Sequence, residues 1–381
     1  MAKIAIGPYG GGSGISTYAL ELCRAMSTLR TGLEVTLLTW QGFNPPNGEI
    51  RTLSLPKNAF LGMSDYFGGP LIKTLGASLE VRRKVKDFDL VHFPDSTYGA
   101  FIRHPRLVLT MWGYYSWRLY PRWYVERFGF PINIPGTVAG LEFMAMNTLA
   151  LRTARMIISP LPLKYLPKGQ IRENMHYIPP PLALPENSIS SSGNQDEFGR
   201  GVGHSDLVFI FGSRDLSIRG KGAQLAIDAF TKLLLRDKIR ATLFMVGGKK
   251  EALHVPSVVR NSVIFTGFLN RRDYLWLLSP GRCFLALSHG EELDYACLEA
   301  MAASCAVIVS DIPAHYMVRD HETGRIVSRN SDSIHSAMLE LTDDDMRLKL
   351  GKNASKEVKQ LTSPTEVAKK YSTIYQRMLS T

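Results

Sequence analysis

The chain alternates short, uninterrupted apolar runs with longer stretches in which apolar residues recur every three or four positions. Runs of four to six apolar residues between polar or glycine positions read as strands buried on both faces, and the periodic stretches read as helices. In the first half the pattern predicts strands over Lys3–Ile6, Val35–Thr39, Leu90–Phe93, Val108–Met111 and Met156–Ser159, and helices over Ile15–Met26 and Gly140–Thr153. In the second half it predicts strands over Leu207–Phe211, Thr242–Val246, Val263–Thr266, Cys283–Ser288 and Val307–Ser310, most of them followed by helices. Val367, Tyr371, Ile374, Tyr375 and Met378 fall on one side of a final helix from Pro364 to Leu379. Strands alternating with helices imply an α/β architecture of parallel, doubly wound sheets.

Between the halves stands Pro179-Pro180-Pro181, then the polar run Glu186–Asp206. This composition predicts a first Rossmann-like domain over 1–185, a linker over 186–206, a second Rossmann-like domain over 207–363, and a helix over 364–381 that packs back on the first domain. Ligands in such sheets bind beyond the carboxyl ends of the strands, so the expected site is a cleft between the two domains.

Composition adds four constraints. A length of 381 residues with 45% hydrophobic and 21% charged residues suits two globular domains. No run reaches the roughly 18 apolar residues of a spanning helix, and no leader pattern follows Met1, so the sequence predicts a cytoplasmic protein. Cys23, Cys283, Cys297 and Cys305 lack metal-type spacing and read as buried thiols. Charge is uneven: residues 1–172 hold 20 Lys and Arg against 10 Asp and Glu, whereas residues 173–381 hold 25 against 24. A basic first half predicts an anionic partner, and peripheral contact with the cytoplasmic membrane face is one form of it.

The candidate chemistry lies in Ser288 to Ala302. A strand ends at Ser288 and a helix begins near Asp294, which puts Glu291 in the loop and Glu299 inside the helix. Free N–H groups at a helix N-terminus attract an anion, and carboxylates on either side can accept hydrogen bonds from hydroxyl-rich groups. A nucleotide sugar has that layout of ribose, diphosphate and hexose.

This stretch, with Ser304 to Asp311 after it, resembles the signature of glycosyltransferase family 4 (glycosyl transferases group 1), in which two Glu are separated by seven residues, as Glu291 and Glu299 are. The resemblance extends to Phe211-Gly212-Ser213-Arg214, Arg219-Gly220-Lys221-Gly222, Ala229-Phe230, Leu341 to Asp345 and Leu350 to Ala354, covering nearly all of 207–378. It implies the GT-B fold, two doubly wound Rossmann-like domains facing a cleft. It also implies a retaining, metal-independent glycosyltransferase with no cofactor beyond its nucleoside-diphosphate sugar. By the same resemblance Glu291 binds donor-sugar hydroxyls, Glu299 binds the ribose, and Arg214 and Lys221 neutralise the diphosphate. Leu293, Asp294 and Tyr295 join the donor contacts. The glycine loop Gly10 to Gly14, with Gly11, Gly12 and Gly14, would approach the donor from the first domain; it does not fit the dinucleotide pattern G-x-G-x-x-G, and no P-loop motif is present.

Several positions depart from the family. Trp112 stands where many members have His, and Glu292-Leu293-Asp294 replaces Gly-Phe-Gly; Asp294 can cap the helix there, and it adds an acid beside the expected diphosphate. Trp112 and Trp117 begin a Trp-, Tyr- and Arg-rich stretch suited to sugar stacking or to a membrane interface, and are the expected acceptor contacts. Asp343-Asp344-Asp345 looks like a metal motif but precedes a helical run, so a helix cap is expected; no metal or nucleic-acid site is expected elsewhere. His92 reads as structural. Two other functions fit less well: a sugar-nucleotide 2-epimerase of the same fold, which needs acid–base groups that are not apparent, and a binding subunit whose catalysis has lapsed.

Overall fold

The computed structural model describes residues 1–10, 14–45, 50–56, 69–112, 134–166, 168–183, 207–291 and 293–381. These form two compact units, one holding the described residues up to Ala183 together with Thr362–Thr381, the other Leu207–Leu361. The linker expected over 186–206 lies outside the described residues, as do Gly11, Gly12 and Trp117.

The first unit is built on strands β1 (Ala2–Tyr9), β2 (Leu33–Trp40), β3 (Thr52–Leu55), β4 (Leu90–Phe93), β5 (Leu107–Thr110), β6 (Met156–Ser159) and β7 (Met175–Tyr177), with helices α1 (Gly14–Ser27), α2 (Gly69–Lys84) and α3 (Ile134–Thr153). The strands pair in parallel in the order β3-β2-β1-β4-β5-β6-β7. Ile4, Ala5, Ile6, Leu90, Val91 and Phe93 are fully buried, which is why these strands read as continuous apolar runs.

The second unit holds β8 (Leu207–Asp215), β9 (Ala241–Gly248), β10 (Val263–Gly267), β11 (Cys283–Ala286), β12 (Ala306–Ser310) and β13 (Arg325–Val327). Its helices are α4 (Ala223–Leu235), α5 (Arg271–Leu277), α6 (Tyr295–Ala302), α7 (Ser331–Glu340) and α8 (Asp344–Leu361). The sheet order is β10-β9-β8-β11-β12-β13, again parallel. The order reverses between β8 and β11, and a reversal of this kind leaves a crevice at the carboxyl ends of the two central strands.

The last helix, α9 (Pro364–Ser380), packs in the first unit, beside α1. Its Tyr371 and Tyr375 are fully buried, and their hydroxyls join a polar set inside the core. His92 Nδ1 lies 2.6 Å from the Tyr375 hydroxyl and Nε2 lies 2.7 Å from Thr110 Oγ1. Tyr18 shares its hydroxyl with Tyr371 and, at 3.2 Å, with Thr110. Burial lowers the His92 pKa from 6.5 to about 3, so the ring is neutral. His92 is structural, as its position at a strand end suggested.

Asp343 Oδ1 accepts from Met346 N at 2.7 Å at the start of α8, the capping role expected of the Asp triplet. The four cysteines are buried and unpaired. No described helix is long and apolar enough to cross a membrane.

Candidate functional site

Lys221 and Glu291 meet where β8 and β11 end. After β8 the chain turns through a 3₁₀ segment, Arg219–Lys221, before entering α4 through Gly222 in the left-handed region (φ 87°). A Cβ on Gly222 would lie 2.7 Å from the carbonyl oxygen of Leu287, just beyond β11. Only glycine allows this approach, which brings the two loops together. His289 N donates to Gly220 O at 2.7 Å. Arg329 donates to Leu287 O at 3.0 Å and to Arg219 O at 2.6 Å, tying both loops from a third side.

Within this frame Lys221 Nζ is ion-paired with Glu291 Oε1, and Ser288 Oγ donates to the same oxygen at 2.7 Å. Both partners are largely shielded, with side-chain exposures of 27% for Lys221 and 15% for Glu291. The ammonium therefore sits at the crevice with its charge only partly screened by water. Arg214 is exposed near the carboxyl end of β8.

Glu299 lies within α6 and is buried, with Arg271 Nη1 of α5 2.5 Å from its Oε1. Tyr274, one turn along α5, has a buried hydroxyl without a hydrogen-bond partner among the described residues. Burial first, and then the charges of Glu299 and Asp294, push its pKa well above the usual value and keep it protonated.

At the N-terminus of α6 the structure shows the cap that the sequence allowed to Asp294. Asp294 is its N-cap, and Oδ1 accepts from Cys297 N at 3.0 Å, so the protein's own carboxylate takes one of the free N–H groups. Its Oδ2 lies 3.3 Å from His315 Nε2, while His315 Nδ1 donates to Ser310 O at 2.8 Å. Burial raises the Asp294 pKa, but His315, Lys221 and the Cys297 amide together outweigh burial and hold it below the usual carboxylate range. Leu293 is half-buried and Tyr295 buried beside it.

A cavity of about 800 Å³ opens next to the β8–α4 loop, lined by Ser217, Ile218, Arg219, Gly222, Gln224 and Arg329 among others. Neither Lys221 nor Glu291 lines it.

In the first unit Gly14 is the exposed first residue of α1, and Gly10 N donates to Ser16 Oγ at 3.3 Å. Trp112 corrects an expectation. It is 3% exposed, packs edge-on against Tyr18 with ring centroids 5.0 Å apart, and donates its indole N–H to Pro94 O. A ring so enclosed is a packing residue and has no open face on which to stack a sugar. Arg271, His315 and Arg329 were not singled out in the sequence, because their partners lie up to 110 positions away and no local spacing marks them.

Two parallel-sheet Rossmann-like units, the second with a Lys–Glu pair at its switch point, define a fold of the GT-B class. Residues 206–344, within the second unit, match the family model described as "Glycosyl transferases group 1". The Bacillus subtilis (strain 168) protein named "Putative glycosyltransferase YtcC" is 30% identical over 176 residues, which are 42% of this chain and 43% of that protein. The chain thus spans less than half the length of that relative. Among solved structures, sucrose-phosphate synthase from Thermosynechococcus elongatus is similar with a TM-score of 0.73 at 15% identity, covering 100% of both chains. Anabaena HepE, in complex with UDP-glucose, is similar with a TM-score of 0.68 at 13% identity, covering 99% of this chain and 100% of that one.

Proposed function

We propose that the protein is a retaining glycosyltransferase that moves a sugar from a nucleoside-diphosphate sugar to a glycan or lipid-linked acceptor. The observation that carries this reading is the Lys221–Glu291 pair at the β8/β11 switch point of the unit that matches the family. In this reading Lys221 and Arg214 take the diphosphate as its negative charge grows on departure, the moment at which fixed cations lower the barrier most. Glu291, already held by Ser288, accepts hydrogen bonds from the donor sugar. Glu299, steadied by Arg271, accepts from the ribose. No carboxylate stands out as a nucleophile, so the acceptor attacks the face that the phosphate leaves, and the phosphate takes its proton. A trapped covalent glycosyl–protein adduct would overturn that step.

UDP sugars are the first donors to test, since the Anabaena neighbour was solved with UDP-glucose. The experiment is a thermal-shift screen of nucleoside diphosphates and their sugars on the full chain. A ligand at a hundred times its Kd adds about 2.7 kcal/mol of stability, a shift of several degrees. No shift with any nucleotide would remove the donor reading. The Asp294 carboxylate on the α6 N-terminus favours one second reading, a donor-binding subunit without turnover. Tight donor binding with no product across a broad acceptor panel would select it.

A further inference from the structure

The first unit presents an apolar stripe that its core does not use. On α2, Leu71, Leu75 and Leu79 recur every fourth residue and are 39%, 44% and 50% exposed, with Ile72 beside them at 38%. Ala77, Ser78 and Val81 of the same helix are buried, so the helix has a defined inner side. Steps of four residues keep Leu71, Leu75 and Leu79 on one line, and the angular period of the helix brings Arg82 back to that line. Arg82, Arg83 and Lys84 are all exposed in the last turn.

Helix α3 extends the surface. It packs beside α2, where Glu142 Oε2 accepts from Leu71 N at 3.2 Å. Leu141, next to that contact, is 46% exposed, and Leu149, about two turns further on, is 40% exposed. Six large apolar side chains thus stand open to solvent on two neighbouring helices, and one of these helices ends in three cations. Scattered exposed leucines need no explanation, whereas a helical line of them that ends in Arg and Lys does.

We propose that this α2–α3 face docks on the anionic headgroup surface of a phospholipid bilayer. Leucines on one side of a surface helix enter the headgroup–acyl boundary, while the long cationic side chains beside them reach lipid phosphates. The charge distribution supplies the complement: residues 1–172 hold 20 Lys and Arg against 10 Asp and Glu, whereas the second half is nearly balanced. The stripe runs from Leu71 to Arg82, which at about 1.5 Å per residue is roughly 16 Å of helix lying flat, long enough to anchor and too short to span. The proposal deepens the lipid-linked form of the acceptor reading and relies on it for purpose, while the binding itself is read without catalysis.

The test is cosedimentation of the full chain with vesicles of phosphatidylcholine alone and of phosphatidylcholine mixed with phosphatidylglycerol. We expect binding to the anionic vesicles only, weakened by added salt. Arg82→Glu with Arg83→Glu lowers the partition at least about tenfold, as expected for charges near an anionic surface. Leu75→Ser with Leu79→Ser abolishes it. Equal binding to neutral vesicles, no binding to either, or a dimer that the Leu75→Ser/Leu79→Ser variant splits would each overturn the proposal. A nucleoside-diphosphate thermal shift on the same samples separates the two readings. A shift without vesicle binding sinks the docking face alone, and vesicle binding without a shift sinks the donor reading alone.

Discussion

Lys221 and Glu291, 70 positions apart, form an ion pair where the two central strands of the second sheet end. In the proposed reading the pair also sets a competition: a diphosphate that takes the Lys221 ammonium must draw it from Glu291, which frees that carboxylate oxygen for a sugar hydroxyl, so that anion binding and sugar binding would be coupled. Lys221→Ala and Glu291→Ala should each lower turnover at least about tenfold, one step of 1.4 kcal/mol in the barrier. Product formation under saturating donor is the measurement, and near-normal turnover in both variants would refute the site.

Arg271 should act on affinity rather than on the chemical step. It holds Glu299 from a half-exposed position, and partly exposed pairs of this kind contribute up to about 1 kcal/mol. Arg271→Ala is expected to weaken nucleoside-diphosphate binding several-fold by calorimetry and to leave saturated turnover nearly unchanged. Unchanged or tighter binding would show that Glu299 needs no support from α5.

Asp294→Asn should move affinity and stability in opposite directions. Asparagine caps a helix about as well as aspartate, so the contact with Cys297 N survives while the negative charge is lost. Diphosphate binding should tighten by about 1 kcal/mol as repulsion is removed. The melting temperature at neutral pH should fall, because the depressed pKa of Asp294 is a stabilising contribution present above the ordinary carboxylate range. That difference should shrink as pH falls through the folded pKa, where wild-type Asp294 also takes up a proton. A variant as stable as the wild type at neutral pH would contradict this.

Gly222 has no room for a side chain. Its φ of 87° and the 2.7 Å between a built Cβ and the Leu287 carbonyl oxygen oppose any substitution. Gly222→Ala should destabilise by about 2 kcal/mol or more in denaturant unfolding. A loss below 0.5 kcal/mol, roughly the effect of a surface change, would mean that the two loops can separate without strain.

His92 gives the first unit a dependence on pH. Unfolded, the ring takes a proton near pH 6.5; folded, burial delays uptake to about pH 3. Stability on this account is flat above pH 6.5 and falls as pH drops from there toward 3, by at most about 1.4 kcal/mol per pH unit. The urea midpoint of the wild type should drop between pH 7.5 and pH 5 more steeply than that of His92→Gln. Parallel slopes would remove His92 as the source.

The sequence by itself determined the two parallel sheets, the strand–loop–helix around Glu291, and the last helix. Each depends on local information: Leu90–Phe93 and Met156–Ser159 form strands with the predicted bounds, because such a run is buried almost throughout, His92 and Ser159 included, and has no exposed position to blur it. The strands β3, β7 and β13 were not foreseen, being three or four residues long and partly exposed, too short for a period to register. Motif spacing singled out Glu291, Glu299 and Lys221. Tertiary structure alone decided their partners: the adjacency of β8 and β11 brings the loop holding Lys221 to the loop holding Glu291, and packing brings Arg271 of α5 to Glu299. It also enclosed Trp112 against Tyr18, and gave the Asp294 cap its second partner, His315. Residue type and spacing carry the chemistry a side chain can do, whereas burial and long-range pairing determine which of those chemistries remains available.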